Sequence, residues 1–257
     1  MPTIHQILTL ARVPNIPTVW SNILVGWALA GGGCMGRLAA SLAGGTLLYA
    51  GGCTLNDACD ARWDRAHKPN RLIPAGVLTK RTVWTLGLSQ MVFGLACFIL
   101  AHPVSWLWPV GLALAILAYD LRHKDNPWSV VVMGACRALL ILSAAAVAGN
   151  ALSWKTLTAA AVVWVYIILL SLLARRESRP GGSILKALRP GWSVGRWVGE
   201  MLAAIPLLDA ALLFALGSGT ACLACLVAGT GGAHGMAMLC LLLWPLCRLL
   251  QRKYAAT

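Results

Sequence analysis

Apolar residues run along this chain in long blocks that short polar segments separate. A helix needs about 20 residues to cross the hydrocarbon core of a bilayer, and eight blocks approach that length. We predict spans over residues 16–32, 38–57, 82–101, 104–120, 128–148, 156–174, 199–217 and 233–250. Residues 220–230 are too short to cross alone and form either a re-entrant piece or part of a ninth span. The pattern therefore predicts an all-α, polytopic transmembrane helical bundle of eight spans, or nine, in which residues 1–257 form one domain around a central cavity.

The composition supports a membrane protein and changes how the charge is interpreted. Hydrophobic residues make up 59% of the chain and the mean hydropathy is +0.74. The net charge of +13 could indicate a nucleic-acid partner, but 18 of the 21 lysines and arginines lie in alternate connecting segments and at the termini. This is the bias expected of cytoplasmic loops. We therefore expect a lipid-bilayer protein of the bacterial inner (plasma) membrane with no nucleic-acid partner. Its termini and its long loops, 58–81 and 175–198, are expected to be cytoplasmic.

Acidic residues are scarce, yet three of the eight fall within eight positions at the end of the second predicted span. On a helix, Asn56, Asp60 and Asp64 line one stripe and Asp57 lies beside it. Like charges on one stripe repel unless a cation neutralises them. Carboxylate and amide oxygens are ligands that suit Mg²⁺, which usually shares its coordination sphere with substrate phosphates. The stripe therefore predicts a magnesium site.

Basic residues follow the stripe directly. Lys68 and Arg71 can pair with phosphate oxygens, and Pro69 and Pro74 are expected to end the helix and stiffen the loop. A metal, a basic clamp and an oily cavity together favour a lipid diphosphate as the ligand. The alternative is a solvated helix end whose acids form surface ion pairs.

These residues carry a resemblance to a known family. The segment from Asn56 to Gly76, with its Asn-Asp-x-x-Asp-x-x-x-Asp pattern and the Lys-Pro-Asn-Arg that follows, resembles the first signature of the UbiA family of intramembrane prenyltransferases. Arg12-x-Pro14-Asn15, before the first span, and Tyr119-Asp120-x-x-x-Lys124, after the fourth, also resemble family motifs. The resemblance covers most of the chain and is strongest over residues 10–140.

The resemblance implies a helical bundle in which Mg²⁺ joins two aspartate-rich motifs to a prenyl diphosphate. Ionisation gives an allylic cation that an acceptor, an aromatic ring or another small molecule, attacks. It further implies roles for individual residues. Metal ligation falls to Asn56, Asp57, Asp60 and Asp64, and the three aspartates act in catalysis with Tyr119 and Lys124. The resemblance assigns Arg12 and Asn15 to the acceptor, and Lys68, Arg71 and Lys124 to the diphosphate. Further substrate-binding residues, without a more specific assignment, are Arg122, Arg137, Arg175 and Glu177.

The second aspartate motif of the family is degenerate in this chain. Where it should close the sixth span, the sequence reads SLLARRESRPGGS, with Glu177 as its only acid. Three hypotheses follow. In the first, the protein is still a prenyltransferase, and arginines replace the charge of a second metal. In the second, it binds a prenyl or other lipid phosphate without turnover and acts in transport or cargo export, since residues 119–140 also resemble the UbiA-like branch named EboC. In the third, it is a UbiA-type cyclase.

Two charged residues fall inside predicted spans. Arg137 lies near the middle of its span, and intramembrane arginines usually face a polar interior. It either reaches a substrate carboxylate or phosphate, or it makes a structural pairing with Asp209 or Asn150. Asp209 is either that partner or part of the wall of the site.

Overall fold

In the computed structural model the chain is described over residues 3–122, 126–149, 152–177, 191–217 and 232–254. These ranges are almost entirely helical and contain no β-strand, which confirms the all-α prediction. The helices are α1 (Ile4–Leu10), α2 (Ile16–Leu29), α3 (Met35–His67), α4 (Lys80–Ala101), α5 (Leu107–Arg122), α6 (Ser129–Ala148), α7 (Trp154–Glu177), α8 (Val194–Ala203), α9 (Ile205–Leu216) and α10 (Ala233–Lys253).

Every predicted span coincides with a helix or a helix pair, but the number of spans is not confirmed. Within the described part of the chain, six stretches are long and apolar enough to cross a membrane: α3, α4, α6, α7, α8 with α9, and α10. The other two predicted spans correspond to α2 and α5, which have only 14 and 16 residues. Residues 220–230, the candidate re-entrant segment, lie outside the described residues.

Helix α3 carries the acidic stripe beyond the apolar block. It has 33 residues, which corresponds to about 50 Å at the rise of an α-helix and exceeds the roughly 30 Å core of a bilayer. The helix ends at His67, directly before Lys68-Pro69, because the residue before a proline is disfavoured in the helical conformation. The last turns of α3 therefore hold the aspartates together at the end of the bundle.

Glycines allow α3 and α4 to cross closely. A Cβ atom on Gly44 would lie 2.9 Å from the carbonyl oxygen of Gly94, and one on Gly51 would lie 3.0 Å from that of Gly87. Small residues that let two backbones approach are typical of helix packing in membranes. This close crossing fixes α3, and with it the acidic stripe, against the rest of the bundle.

Helix α2 is the central element of the bundle. It packs against α3, α6, α7, α9 and α10, and Ile23, Val25 and Trp27 are fully buried. By contrast, α4 and α7 expose apolar side chains such as Val92 and Leu169. Large exposed apolar surfaces mark contact with a membrane or a partner. Helix α2 therefore lies inside the bundle, and the outer surface of the bundle is apolar.

Candidate functional site

A cavity of about 210 Å³ opens between α2, α3, α5, α6 and α7. We call it the chamber. Its wall is mostly apolar, with leucines and isoleucines from α3, α5, α6 and α7. A small set of polar side chains interrupts that wall: Arg12, Asn15, Tyr49, Asn56, Tyr119, Asp120, Arg137 and Ser171. An apolar cavity with a few convergent polar groups is the usual form of a small-molecule site.

A second, more polar cavity of about 510 Å³ adjoins the end of α3. We call it the mouth. The side chains of Asp57, Lys68 and Arg71 line it, and Lys68 is exposed. Arg12 lines both cavities and therefore stands where the mouth meets the chamber.

A chain of hydrogen bonds crosses that junction. Arg12 Nη2 donates to Asn56 Oδ1 at 3.2 Å, and Asn56 Nδ2 donates to Asp120 Oδ1 at 3.3 Å. Arg12 adopts a left-handed backbone conformation, with φ 46° and ψ 47°, which is uncommon for a residue with a side chain. Burial acts to lower the pKa of Arg12, but the nearby side chains of Cys53 and Tyr49, and then Asp57, outweigh it and raise that pKa above its usual value. The guanidinium is therefore a permanent charge at the junction.

The acidic stripe lies on the last turns of α3, and an arginine contacts two of its members. Arg71 Nη1 donates to Asp57 Oδ1 at 3.1 Å and to Asp64 Oδ2 at 2.9 Å. Arg71 stays close to α3 because the chain turns directly after the helix, where the Arg71 backbone N–H donates to the carbonyl oxygen of Lys68 at 3.1 Å. Asp60, on the same helix, is partly buried. The alternative of a fully solvated helix end does not describe Asp64, which is buried.

The donor set has the chemistry that Mg²⁺ prefers. It comprises one amide oxygen and three carboxylates on the last turns of a single helix, and the buried Oδ1 of Asp64 accepts no hydrogen bond. However, within the described ranges no three His, Cys, Asp or Glu side chains are gathered closely enough to hold a metal ion. The positive charge between Asp57 and Asp64 is that of Arg71. A metal ion would take over oxygens that Arg71 now contacts.

The Tyr119 motif is only partly described. Tyr119 and Asp120 line the chamber from α5. Arg122 is exposed on the last turn of α5 and lines neither the chamber nor the mouth. Lys124 lies outside the described residues. The structure therefore brings Tyr119 to the chamber and leaves Arg122 on the surface.

The degenerate second motif lies at the end of α7. Arg175 donates to the carbonyl oxygen of Pro127 at 3.2 Å and to Ser129 Oγ at 2.6 Å. These bonds tie the end of α7 to the start of α6. Glu177 is buried, and neither it nor Arg175 lines the chamber or the mouth. The rest of the motif, from residue 178 onward, is outside the described ranges.

Arg137 faces the chamber within a polar network that includes residues not predicted as part of the site. Its Nη1 donates to Asn22 Oδ1 at 3.1 Å and its Nη2 to Thr18 Oγ1 at 2.9 Å. Asn22 Nδ2 in turn donates to Asp209 Oδ2 at 2.8 Å. The expected pairing of Arg137 with Asp209 thus runs through Asn22. Two polar residues one turn apart in an apolar span, Thr18 and Asn22, were the available sequence signal.

Comparison with known proteins places this geometry in a family. The model of the UbiA prenyltransferase family matches residues 16–257. The digeranylgeranylglyceryl phosphate synthase of Methanoregula boonei is 25% identical over 201 residues, which are 68% of this chain and 72% of that protein. The synthase of the same name from Korarchaeum cryptofilum is 28% identical over 161 residues, 62% of this chain and 56% of that protein.

Solved structures share the fold. A UbiA homologue from Archaeoglobus fulgidus bound to GPP and Mg²⁺ superimposes with a TM-score of 0.59 at 13% identity, over 95% of this chain and 85% of that one. A UbiA homologue from Aeropyrum pernix K1, without ligand, gives a TM-score of 0.56 at 14% identity, over 98% and 99% of the two chains. At such identities the likeness concerns the fold alone. Because the family model matches nearly the whole chain, the resemblance seen in the motifs is confirmed, and this integral membrane protein belongs to the UbiA prenyltransferase family.

Proposed function

We propose that the protein transfers a prenyl group from a prenyl diphosphate to an acceptor within the membrane, in a Mg²⁺-dependent reaction. One observation carries the proposal. Asp57 of the acidic stripe and three basic side chains, Arg12, Lys68 and Arg71, line a polar mouth, and this mouth meets an apolar chamber at Arg12. A prenyl diphosphate matches this pair of cavities, because its diphosphate head is highly charged and its prenyl tail is apolar. Related structures bound to GPP or DMAPP with Mg²⁺ support the same substrate class.

The diphosphate is assigned to the mouth. Lys68 and Arg71 contact its phosphate oxygens, with Lys124 as a further ligand. The metal ligands are Asn56, Asp57, Asp60 and Asp64, and Mg²⁺ there would stabilise the negative charge that builds on the departing diphosphate. As the diphosphate enters, the Arg71 guanidinium exchanges carboxylate oxygens for phosphate oxygens. A metal ion held by the carboxylates would then supply the positive charge that Asp57 and Asp64 lose when Arg71 turns to the phosphate.

The prenyl tail is assigned to the chamber. Its apolar wall excludes water, which would otherwise capture the allylic cation formed when the carbon–oxygen bond to the diphosphate breaks. Tyr119 lies on the wall, where its ring would face the cation or the acceptor. Arg12 and Asn15 are assigned to the acceptor. The acceptor attacks the allylic carbon, forms the new bond and loses a proton.

A second candidate function is binding of a lipid phosphate without turnover, in transport or cargo export. The observation that favours it lies at the end of α7, where Glu177 is the only acid of the motif. Arg175 is engaged by Pro127 and Ser129, so it is not available to replace the charge of a second metal without breaking those bonds.

Diphosphate release distinguishes the two functions. The purified protein is incubated with labelled prenyl diphosphates of several chain lengths and Mg²⁺, and released diphosphate is measured against EDTA-treated samples. Release above that background supports prenyl transfer, and it should be lost in Asp60→Ala. The matched control is Glu200→Gln, since Glu200 pairs with Arg248 and lines neither cavity. Binding without release favours the second function, and absence of binding contradicts both.

We further propose that α2 and α5 also cross the membrane, which gives eight spans in one domain with both termini cytoplasmic. The membrane is proposed to be a bacterial inner (plasma) membrane. An even number of spans places the two ends of the chain on one side. A reporter fused to residue 257 that is active only outside the cytoplasm should therefore stay inactive. Activity of that reporter would contradict the proposed topology.

A further inference from the structure

The apolar part of the chamber is shallow. On α5 the chamber wall runs from Asp120 to Leu112, eight residues apart, which corresponds to about 12 Å along the helix axis. On α3 it runs from Asn56 to Gly45, 11 residues apart, or about 16 Å. Asn56 and Asp120 are hydrogen-bonded to each other beside the junction with the mouth. A tail that enters at this junction therefore has about 12–16 Å of chamber before it.

Buried side chains close the end of the chamber that lies away from the mouth. We call this set the floor; it consists of Val19, Leu48, Leu112 and Leu140, with Ile23 behind them. None of the five is more than 5% exposed. A Cβ atom on Gly45 would lie 2.5 Å from Ile23 Cδ1 and 3.2 Å from Leu140 Cδ1. The floor therefore packs directly against α3, and the chamber ends at Gly45.

Close contacts also join helices that form the sides of the chamber. A Cβ atom on Gly52 of α3 would lie 2.7 Å from Ile116 Cγ2 of α5. On another side, the Tyr166 hydroxyl of α7 donates to the carbonyl oxygen of Met201 of α8 at 2.7 Å. These contacts hold neighbouring helices of the wall together, so the direct course for a tail runs down to the floor.

The length of a prenyl tail can be compared with this depth. Each isoprene unit adds four carbon–carbon bonds of about 1.5 Å to the extended chain, and in a zigzag these span roughly 5 Å. A tail of two units is then about 10 Å long and a tail of four units about 20 Å. The chamber volume, about 210 Å³, is also below the roughly 300–1,000 Å³ of cavities that enclose drug-sized ligands. The chamber therefore accommodates two isoprene units and is too short for four.

We propose that the protein uses a short-chain prenyl diphosphate, with a tail of up to two isoprene units, and that the floor sets this limit. The inference rests on the proposed binding of a prenyl diphosphate and adds the length of its tail. A four-unit tail would meet the floor before its diphosphate reached Lys68 and Arg71 in the mouth. Either the head would lose contacts with the mouth, or part of the tail would stay outside the chamber.

Removal of floor side chains should lengthen the tail that the chamber accepts. Leu140→Ala and Leu112→Ala each shorten one side chain of the floor. The matched control is Leu142→Ala, because Leu142 is a buried leucine of the same helix as Leu140 and does not line the chamber. The control removes the same atoms from α6 and leaves the floor in place. Thermal unfolding of each variant establishes that it is folded.

Calorimetric titration with non-hydrolysable thiolo analogues of geranyl and geranylgeranyl diphosphate, in the presence of Mg²⁺, measures the limit. These tails have two and four isoprene units. We expect the wild type to bind the two-unit analogue at least about tenfold more tightly. Each floor variant should bind the four-unit analogue about tenfold more tightly than the wild type does, and Leu142→Ala should not. Comparison of the variants on one analogue at a time removes the contribution of detergent partitioning, which is the same in every titration.

The inference is overturned if the wild type binds the four-unit analogue as tightly as the two-unit analogue, since the longer tail must then leave the chamber toward the bilayer. It is also overturned if both floor variants respond as Leu142→Ala does. Where one floor variant does not fold, the other variant and the wild-type preference decide the result. Mg²⁺-dependent binding that is independent of tail length would contradict the limit alone, whereas absence of binding of both analogues would contradict the proposed function as well.

Discussion

Replacing Arg71 by alanine should destabilise the folded protein, because the change removes the cation between two acids that are shielded from water. Arg71 Nη1 lies 3.1 Å from Asp57 Oδ1 and 2.9 Å from Asp64 Oδ2. The side chain of Asp64 is only 2% exposed, and those of Asp57 and Arg71 are 17% and 16% exposed. Asp57 keeps a second cation, Arg12, at 3.7 Å. Asp64 has no other ion pair among the described residues.

The expected size of the effect follows from burial. Breaking a buried ion pair by removing one partner costs about 3–5 kcal/mol. Since Arg12 remains near Asp57, we take the lower end and expect about 3 kcal/mol for Arg71→Ala. In a protein of this size that corresponds to a fall in Tm of roughly 6–12 °C.

Arg248→Ala is the matched control. Arg248 and Glu200 are 2.7 Å apart, closer than Arg71 and Asp64, but their side chains are 35% and 26% exposed. Exposed pairs contribute about 0–1 kcal/mol. If burial rather than distance decides the effect, this variant should unfold close to the wild type.

Thermal unfolding of the detergent-solubilised proteins, followed by tryptophan fluorescence without divalent cations, measures the difference. Added Mg²⁺ should recover part of the lost Tm in Arg71→Ala, because the ion can occupy the vacated carboxylate oxygens, and it should not change Arg248→Ala. Equal Tm values for wild type and Arg71→Ala would refute the reasoning, as would equal losses in both variants.

Three further predictions follow from the packing and the polar contacts. Gly26→Ala should lower the free energy of unfolding by about 1–3 kcal/mol or more, because the added Cβ would collide with the backbone carbonyl of Ile141. Gly111→Ala is the control: the atom nearest to its added Cβ is 3.8 Å away, so its thermal unfolding should be nearly unchanged. Asn22→Ala removes the amide that joins Arg137 to the buried Asp209. Hydrogen bonds to charged groups contribute about 1.5–3 kcal/mol each, so we expect a loss of about 3 kcal/mol in the same assay, and a loss below about 1 kcal/mol would contradict the network. Removal of Mg²⁺ by EDTA without substrate should leave the wild-type Tm unchanged, since Arg71 already supplies a positive charge between Asp57 and Asp64. A large fall in Tm would contradict that role.

Local signals in the sequence predicted most of the helices. The apolar blocks placed α3 to α7 and α10, and Pro69 correctly marked the end of α3. The end of α2 was predicted too late: the helix stops at Leu29 rather than residue 32, because Gly31 and Gly32 adopt left-handed conformations. The span predicted over 199–217 is divided, since α9 starts anew with Pro206 in its first turn.

The contacts of the site were harder to predict because they join distant parts of the chain. Regular spacing placed the aspartates on one stripe, and the first two members of that stripe border the cavities, Asn56 on the chamber and Asp57 on the mouth. The spacing could not reveal that Arg71 folds back onto the stripe. Nor could it pair Asn22 with Asp209, which are 187 residues apart, because that contact depends on α2 passing through the centre of the bundle. The spacing of polar residues predicts which face of a helix they share, but it does not predict which residues elsewhere in the chain contact that face.

The central claim is that the acidic end of α3 captures a prenyl diphosphate through a divalent ion. Calorimetric titration with a non-hydrolysable thiolo analogue of geranyl diphosphate, with Mg²⁺ or with EDTA, tests it most directly. We predict binding at least about tenfold tighter with Mg²⁺, loss of this difference in Asp60→Ala, and its retention in Glu200→Gln. Equal affinity with and without Mg²⁺, or a wild-type response in Asp60→Ala, would contradict the account.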